Sequence, residues 1–402
     1  MIRVLIFLTL SLIFYFVYGF YLSQSNLVVI PADLKPESPA GYYDYRGVTN
    51  VRSDLSNGSS SPLEVISEAK LADLDFLFIT DINQFDRSSS FNGYHGNLLV
   101  SQEGEYSFLD SRLLYYDLNT DRPPLDPAES NLYFTDLLSK SFNENKETML
   151  VLAHPFRHGP TWTGPYPPGL DGLEILNPKA ISSKAWDRSK LNVIWSFIIY
   201  PFNTRYAFLR LFREPSEETA LWDKLSQERP TLGFSGADAS ARAIPWANTL
   251  LKFPSYQSSF EITHDHVLLT SELTGNFQKD RQKIFTAFRR GHFYMSLDLL
   301  GDPKGFIATI DDKEKSHLMG DRLKFTKGLK LKARLPSEPS AFYEIVLLKN
   351  GEREATSNET ELNQVISGPG IYRVVVRVSP LLPFPEGKKW ITWIYTNNFY
   401  VE

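Results

Sequence analysis

The stretch GVTNVRSDLSNGS, residues 47–59, runs from a short apolar pattern into a turn that contains Gly58. A helix signal follows at once, because Ser61, Pro62 and Glu64 form a capping box with proline at the first helical position. A strand that leads through a glycine turn into a capped helix is a common way to place polar side chains at the mouth of an α/β barrel. The side chains available at this position are Asn50 and Arg52.

Apolar runs of this kind alternate with amphipathic segments between residues 41 and 302. The clearest runs are DFLFITD (75–81), GNLLVSQE (96–103), ETMLVLAHP (147–155), LDGLEILNP (170–178) and TLGFSGAD (231–238). This alternation predicts a parallel α/β barrel with its functional residues at the C-terminal strand ends. Residues 303–402 change to a period of two, with Asn350 and Gly351 as a hairpin turn, and this predicts a small antiparallel β-sandwich.

The N-terminal segment, residues 1–24, indicates a membrane anchor. Residues 4–22 form an uncharged apolar run that is about as long as a helix that crosses a bilayer, and a cleaved signal peptide is the alternative. Arg3 is the only cation before Lys35, so we expect the N-terminus in the cytosol and the bulk of the chain outside it, in the periplasm or the extracellular space. Residues 25–40 are predicted to be a linker.

Composition narrows the classes of function. A formal net charge of -5 without a long basic run gives no footprint for nucleic acid. The absence of cysteine excludes disulfides, thiolate metal sites and a cysteine nucleophile. The aromatic segment 195–212 predicts a helix hairpin in the core, and the alternative is a lid or a helix on the membrane surface. The sequence does not identify a protein partner.

Polar residues stand just past the apolar strands. In a barrel, such positions converge on one mouth, so these side chains are predicted to share a pocket. They are Asn50, Arg52, Asp81, Glu105, His154, Asn177 and Asp238.

In this order the chain resembles the PHP family, named for polymerase and histidinol phosphatase. The resemblance covers residues 41–302 and is carried by GYYDYRGV, SNGSSSPLEVISEAKLADLDFLFITD, VLAHPF, LDGLEILN, GADAS and FRRGHFYMSLDLLGDP. It implies a distorted (β/α)7 barrel, TIM-like, that binds two or three metal ions and hydrolyses phosphoesters. The β-domain that follows resembles the appendage of some exported members.

The departures from the family pattern fall on the metal ligands. The usual His-x-His pair is Asn50-Val51-Arg52, the usual Ser-Asp-Gly has Asn57 in its centre, and the usual Thr-Asp-His-Asn has Ile82 in place of histidine. The usual Gly-x-Asp-x-His ends in Ser240. The positions that still match family ligands are Glu105, His154 and Asp238, and Asn177 falls where some members carry another ligand.

Arginine cannot replace a histidine ligand, because its guanidinium stays protonated and only donates hydrogen bonds. We therefore expect Arg52 to neutralise part of the charge of Asp238, Glu105 or Asp81. The resulting prediction is a degenerate or inactive phosphoesterase that binds a small anionic or phosphorylated ligand or a partner. Asn50, Asn57, Asn177, Ser240 and the mouth-lining His158 would contribute to binding.

The alternative is an active metal-dependent phosphoesterase with one or two weakly held zinc, manganese or iron ions. Glu105, His154 and Asp238 would be its ligands, with Asn177 as a further donor and Asp81 in the catalytic set. A separate pair, His264 and His266, lies on one face of a predicted strand and could chelate a metal, but in a segment where the family has no ligand motif.

Overall fold

The computed structural model describes residues 1–30, 41–84, 90–118, 127–140, 147–157, 159, 161–246 and 249–402, with the backbone alone at 127, 242–246 and 249–253. The helices of this part are α1 (Ile2–Ser23), α2 (Pro62–Leu71), α3 (Pro127–Ser139), α4 (Pro178–Arg188), α5 (Lys190–Ile199), α6 (Thr204–Leu211), α7 (Ser216–Glu228), α8 (Tyr256–Phe260) and α9 (Phe277–Arg290). The capping box predicted before α2 is confirmed, since Ser61 Oγ accepts from Glu64 N and Glu64 Oε2 accepts from Ser61 N.

The strands up to residue 296 include the five apolar runs of the sequence as β2, β4, β7, β8 and β9. They are β1 (Tyr43–Val51), β2 (Phe76–Ile79), β3 (Gly93–His95), β4 (Leu98–Gln102), β5 (Gly104–Phe108), β6 (Ser111–Asp117), β7 (Thr148–Leu152), β8 (Gly172–Leu176), β9 (Leu232–Ser235), β10 (Arg242–Trp246), β11 (Thr249–Phe253), β12 (His264–Leu269) and β13 (Phe293–Ser296).

The remaining strands are antiparallel neighbours for the most part, and the turn predicted at Asn350 and Gly351 joins two of them. They are β14 (Ile307–Asp311), β15 (Ser316–Leu318), β16 (Arg322–Leu323), β17 (Lys330–Arg334), β18 (Phe342–Lys349), β19 (Glu352–Ser357), β20 (Glu361–Val365), β21 (Gly370–Ser379), β22 (Leu381–Leu382), β23 (Gly387–Lys388), β24 (Ile391–Thr396) and β25 (Phe399–Val401).

The prediction of an all-parallel barrel is wrong in part. β1, β2 and β4 are parallel, and so are β7, β8 and β9, but β12–β1, β5–β6 and β6–β7 pair antiparallel. Two residues separate β5 from β6, which leaves no room for the helical crossover that parallel neighbours need. One residue separates β4 from β5, and these two strands belong to different sheets. The fold is therefore mixed α/β.

The ladders of the described strands do not close into one barrel. They form a long sheet, β16-β25-β21-β24-β13-β12-β1-β2-β4-β3, and a five-stranded sheet, β5 to β9 in order. Isolated bridges join the two edges of the five-stranded sheet to interior strands of the long sheet, from Ala239 after β9 to Val51 of β1 and from Glu105 of β5 to Ile82 after β2. The C-terminal ends of β1, β2 and β9 therefore lie next to one another.

The last hundred residues continue the long sheet across position 302, because β24 pairs with β13 at Tyr294 to Ser296. A second sheet, β15-β14-β17-β20, packs its apolar side chains, such as Leu331, into the same core as Val374 and Trp393. The division at 302 and the sandwich remain predictions.

The chain after α1 packs along the body. Leu22, Leu27 and Val29 are buried in the main core, and Val29 N donates to Leu300 O. Part of the predicted linker is thus tied to the body, while residues 31–40 lie outside the described part.

Candidate functional site

The strand ends bring Arg52, Glu105 and Asp238 together. Arg52 Nε donates to Glu105 Oε2 at 2.5 Å, and its Nη1 lies 2.8 Å from Asp238 Oδ1. All three side chains are buried, with Arg52 only 3% exposed. Burial alone would lower the pKa of the guanidinium, but Asp238 and Glu105 raise it above its ordinary value. Arg52 is therefore a fixed cation between two carboxylates.

Three residues of this cluster have left-handed backbones although none is glycine. The φ angles are 56° at Asn50, 33° at His154 and 44° at Asp238. Such conformations cost free energy for ordinary residues and persist where the surrounding structure enforces them. Three of the seven positions predicted from the strand ends thus have a left-handed backbone.

Glu174, in the centre of β8, is a member that the sequence reasoning missed. Its Oε1 accepts from Asn50 Nδ2 at 2.7 Å, and its Oε2 accepts from His154 N at 2.7 Å and Asn177 Nδ2 at 2.9 Å. Burial raises the pKa of this carboxyl. A methyl group at Gly236 would come within 1.6 Å of Glu174 Oε1, so the glycine makes room for it. A charged residue inside an apolar strand run was the available signal.

Asn177 and Asp81 have structural partners. Asn177 Oδ1 accepts from Ala180 N and caps α4, so this oxygen is already engaged. Asp81 accepts from Ser53 N, Ser53 Oγ and Ser56 Oγ at 2.6–2.7 Å, and these bonds hold the turn after β1. Asn57 lies exposed in that turn, and His158 lies outside the described residues.

Two further cations that the sequence reasoning missed surround Asp238. Arg157 Nη1 lies 3.0 Å from Asp238 Oδ2, and Lys179 Nζ lies 3.3 Å from Asp238 Oδ1 and 3.2 Å from Ser240 Oγ. Arg157 is 24% exposed and Lys179 is 34% exposed, so both reach solvent. Burial alone would raise the pKa of Asp238, but Arg52 and Lys179 hold it well below its usual range.

Two glutamates, Glu103 and Glu105, follow β4, and only Glu105 joins the cluster. Glu103 Oε1 instead lies 2.6 Å from Arg281 Nη2, in a buried pair with α9. Glu105 Oε1 lies 3.8 Å from His154 Nε2 and accepts no hydrogen bond within the described part of the chain. Glu105 and His154 are therefore the members of the cluster that have a buried polar atom without a hydrogen-bond partner in the described part of the chain.

A second buried charged cluster lies on β12, where His264 and His266 share a face. Ligand atoms of His266, Asp298 and Asp302 lie within 4.8 Å of one another and could hold a metal ion. Arg46 Nη1 lies 2.8 Å from Asp302 and 3.6 Å from Asp298. Burial alone would lower the pKa of His266, but Asp44 and Asp298 raise it to about 10. Arg46 thus already places a cation beside two of these carboxylates.

No protein-family model and no curated protein matches the chain. Among solved structures, a two-domain protein from Bacteroides vulgatus ATCC 8482, described as containing a predicted PHP-like metal-dependent phosphoesterase, aligns at 12% identity with a TM-score of 0.40. The alignment covers 90% of this chain and 98% of that chain. A likeness of this extent assigns no activity to the present chain.

Proposed function

We propose that this chain is a membrane-anchored binding protein with a PHP-like frame, in which a guanidinium replaces a metal ion and the mouth receives a small anion. The observation that carries the proposal is the position of Arg52 between Glu105 and Asp238, at 2.5 and 2.8 Å. A buried cation at these distances supplies the compensating charge that two carboxylates need.

A divalent ion between these carboxylates does not fit the residues present. Asp238 is engaged by Arg52, Arg157 and Lys179, and the acceptor oxygen of Asn177 caps α4. Stable sites for transition metals use at least three protein donors, and cations next to those donors repel the ion. The residues at this mouth therefore do not fit a closed site for a divalent metal ion.

The charge balance of the mouth favours an anion. Arg52, Arg157 and Lys179 bring three cations to the carboxylates of Glu105 and Asp238. Glu174, the third carboxyl near the mouth, accepts hydrogen bonds from Asn50, Asn177 and the backbone of His154, and burial raises its pKa. Because Arg157 and Lys179 are partly exposed, they can donate to a phosphate or carboxylate from solvent.

Binding of inorganic phosphate to the full chain in detergent, measured by titration calorimetry, tests the proposal. Loss of a hydrogen bond to a charged group costs about 1.5–3 kcal/mol, so the double variant Arg157→Gln, Lys179→Gln should bind at least about tenfold more weakly. Lys283→Gln is the matched control, because Lys283 is a similarly exposed lysine paired with Asp280 on α9. Equal affinity in the double variant and the control, or no phosphate binding at all, contradicts the proposal.

A phosphoesterase with a reduced metal site is the second candidate. Glu105 Oε1 and His154 Nε2 lie 3.8 Å apart, and this favours it because one ion could bridge them. Elemental analysis of the purified chain separates the two. Substoichiometric transition metal supports the binding protein, and stoichiometric zinc, manganese or iron that resists mild chelation, with phosphatase activity, supports the enzyme.

Retention of α1 as an anchor is part of the proposal. α1 is long and apolar enough to cross a membrane, and it is the single such helix in the described part of the chain. Asn203 Nδ2 donates to Leu22 O and Ser25 O at its C-terminal end. These contacts with the folded body support retention of α1 as an anchor.

A further inference from the structure

One side of α5 exposes apolar side chains at the surface of the described chain. Val193, Ser196 and Ile199 face the core, while the other side of the helix exposes large apolar side chains at helical spacing. These are Leu191, Ile194 and Ile198. A row of exposed apolar side chains on a surface helix marks an interaction site.

A second exposed apolar group lies on the hairpin of β22 and β23, far from α5 in sequence. Leu381 and Trp390 are exposed there, and Phe384 at the tip is 76% exposed. The two segments are neighbours in the fold, because Arg210 Nη1 donates to Asn192 O of α5 and its Nη2 lies 2.9 Å from Glu386 of the hairpin.

Both segments contact the same part of α1. Tyr15 Oη donates to Ile198 O at 3.1 Å, and Tyr18 Oη donates to Phe384 O at 2.5 Å. The ring of Phe202 packs on Gly19 so closely that a Cβ there would lie 2.5 Å from it. The exposed apolar side chains therefore lie around the last two turns of α1.

The length of α1 determines how deep in the bilayer its contacts with α5 and the hairpin would lie. At about 1.5 Å per residue, residues 2–14 extend only about 20 Å, whereas a bilayer's hydrocarbon core is about 30 Å thick. A helix that spans must therefore use residues 15–23 as well. Tyr15 and Gly19 lie about 12 and 6 Å from the end of α1 at Ser23, which matches the depth of about 5–10 Å at which interfacial helices lie.

We propose that α5 and the 381–390 hairpin form a membrane collar, a surface that inserts into the leaflet at the C-terminal end of α1. The inference rests on the proposed anchoring by α1 and adds that the body is embedded, not tethered at a distance. The occupant is lipid, because the collar continues the lipid-facing surface of the spanning helix. Lys190 and Lys388 are exposed at its rim and can reach the headgroups while the apolar side chains enter the acyl region.

The absence of cysteine gives a direct test, because each introduced cysteine is a unique labelling site. The full chain is reconstituted in vesicles that contain lipids with spin labels on their acyl chains. A fluorophore is attached in separate variants at Ile194→Cys, Phe384→Cys, Phe7→Cys in the middle of α1, and Leu132→Cys. Leu132 is the matched control, since it is an exposed apolar residue on α3, outside the collar.

Strong quenching at Ile194 and Phe384, well above that at Leu132, is the expected result. If Phe7 is quenched but Ile194 and Phe384 are quenched no more than Leu132, the collar is overturned and the anchor stands. Absence of quenching at Phe7 overturns both the anchor and the collar. All four positions are exposed, so the substitutions leave the packing of the fold unchanged.

Discussion

Arg52→Ala is expected to lower the free energy of unfolding by about 3–5 kcal/mol, the usual cost of removing one partner from a buried ion pair. The loss should not be shared equally between its two carboxylates. Asp238 keeps Arg157 at 3.0 Å and Lys179 at 3.3 Å, whereas Glu105 keeps only His154, at 3.8 Å, among the ion pairs of the described residues. Glu105 is therefore the charge that the substitution leaves without compensation.

A double-mutant cycle measures this asymmetry by chemical unfolding of the full chain in detergent. We expect a coupling energy of about 2 kcal/mol between Arg52→Ala and Glu105→Gln, and less than about 1 kcal/mol between Arg52→Ala and Asp238→Asn. Arg353→Ala is the control, because its pair with Glu344 is half exposed and should contribute about 0–1 kcal/mol. A loss below about 1 kcal/mol for Arg52→Ala, without coupling to either carboxylate, refutes the idea that Arg52 replaces a metal.

Three other outcomes follow from the sequence and the buried charges. Protease added outside the cell, or to spheroplasts, should digest the chain after residue 30, because no cation stands between Arg3 and Lys35; protection would place the body in the cytosol. The pKa of His266 is raised to about 10, so its contribution to stability is complete below its unfolded pKa of about 6.5 and is lost as the pH rises through about 10. The free energy of unfolding should therefore fall between about pH 6.5 and pH 10 in the natural chain and change less in His266→Gln. Equal dependence on pH in the two proteins would contradict a raised pKa of His266. Arg52→His should gain no phosphoesterase activity with added manganese or zinc, because Asn50 beside it is still not an imidazole; activity would indicate an enzyme that one substitution repairs.

Much of the secondary structure could be predicted because its causes are local. An apolar run of a few residues forms a buried strand, and the pattern of Ser61 and Glu64 caps α2 wherever that helix lies. The direction of strand pairing could not be predicted in the same way. The alternation of strands and helices suggested parallel neighbours, but the short link between β5 and β6 enforces antiparallel pairing.

Some residues of the site could likewise be predicted from the sequence, and others could not. Asn50, Arg52, Glu105, His154 and Asp238 could be found from sequence, because each polar residue stands at or just past the end of an apolar run. Glu174 gave only the signal of a charge inside an apolar run, and Arg157 and Lys179 gave none, because the local pattern does not tell which side chains they will meet.

Sequence alone determined where the apolar helix and the strands lie, and which polar residues, such as Asn50, Arg52 and Ser240, stand near the strand ends. Those properties depend on residue type and on periods of two to four residues. Only the tertiary structure decided that Arg52 meets Glu105, 53 positions away, and that Asn50 meets Glu174, 124 positions away. The partner of a buried charge depends on distance in space and on burial. Both are set only when the two sheets come together in the folded chain, and the local sequence pattern does not determine them.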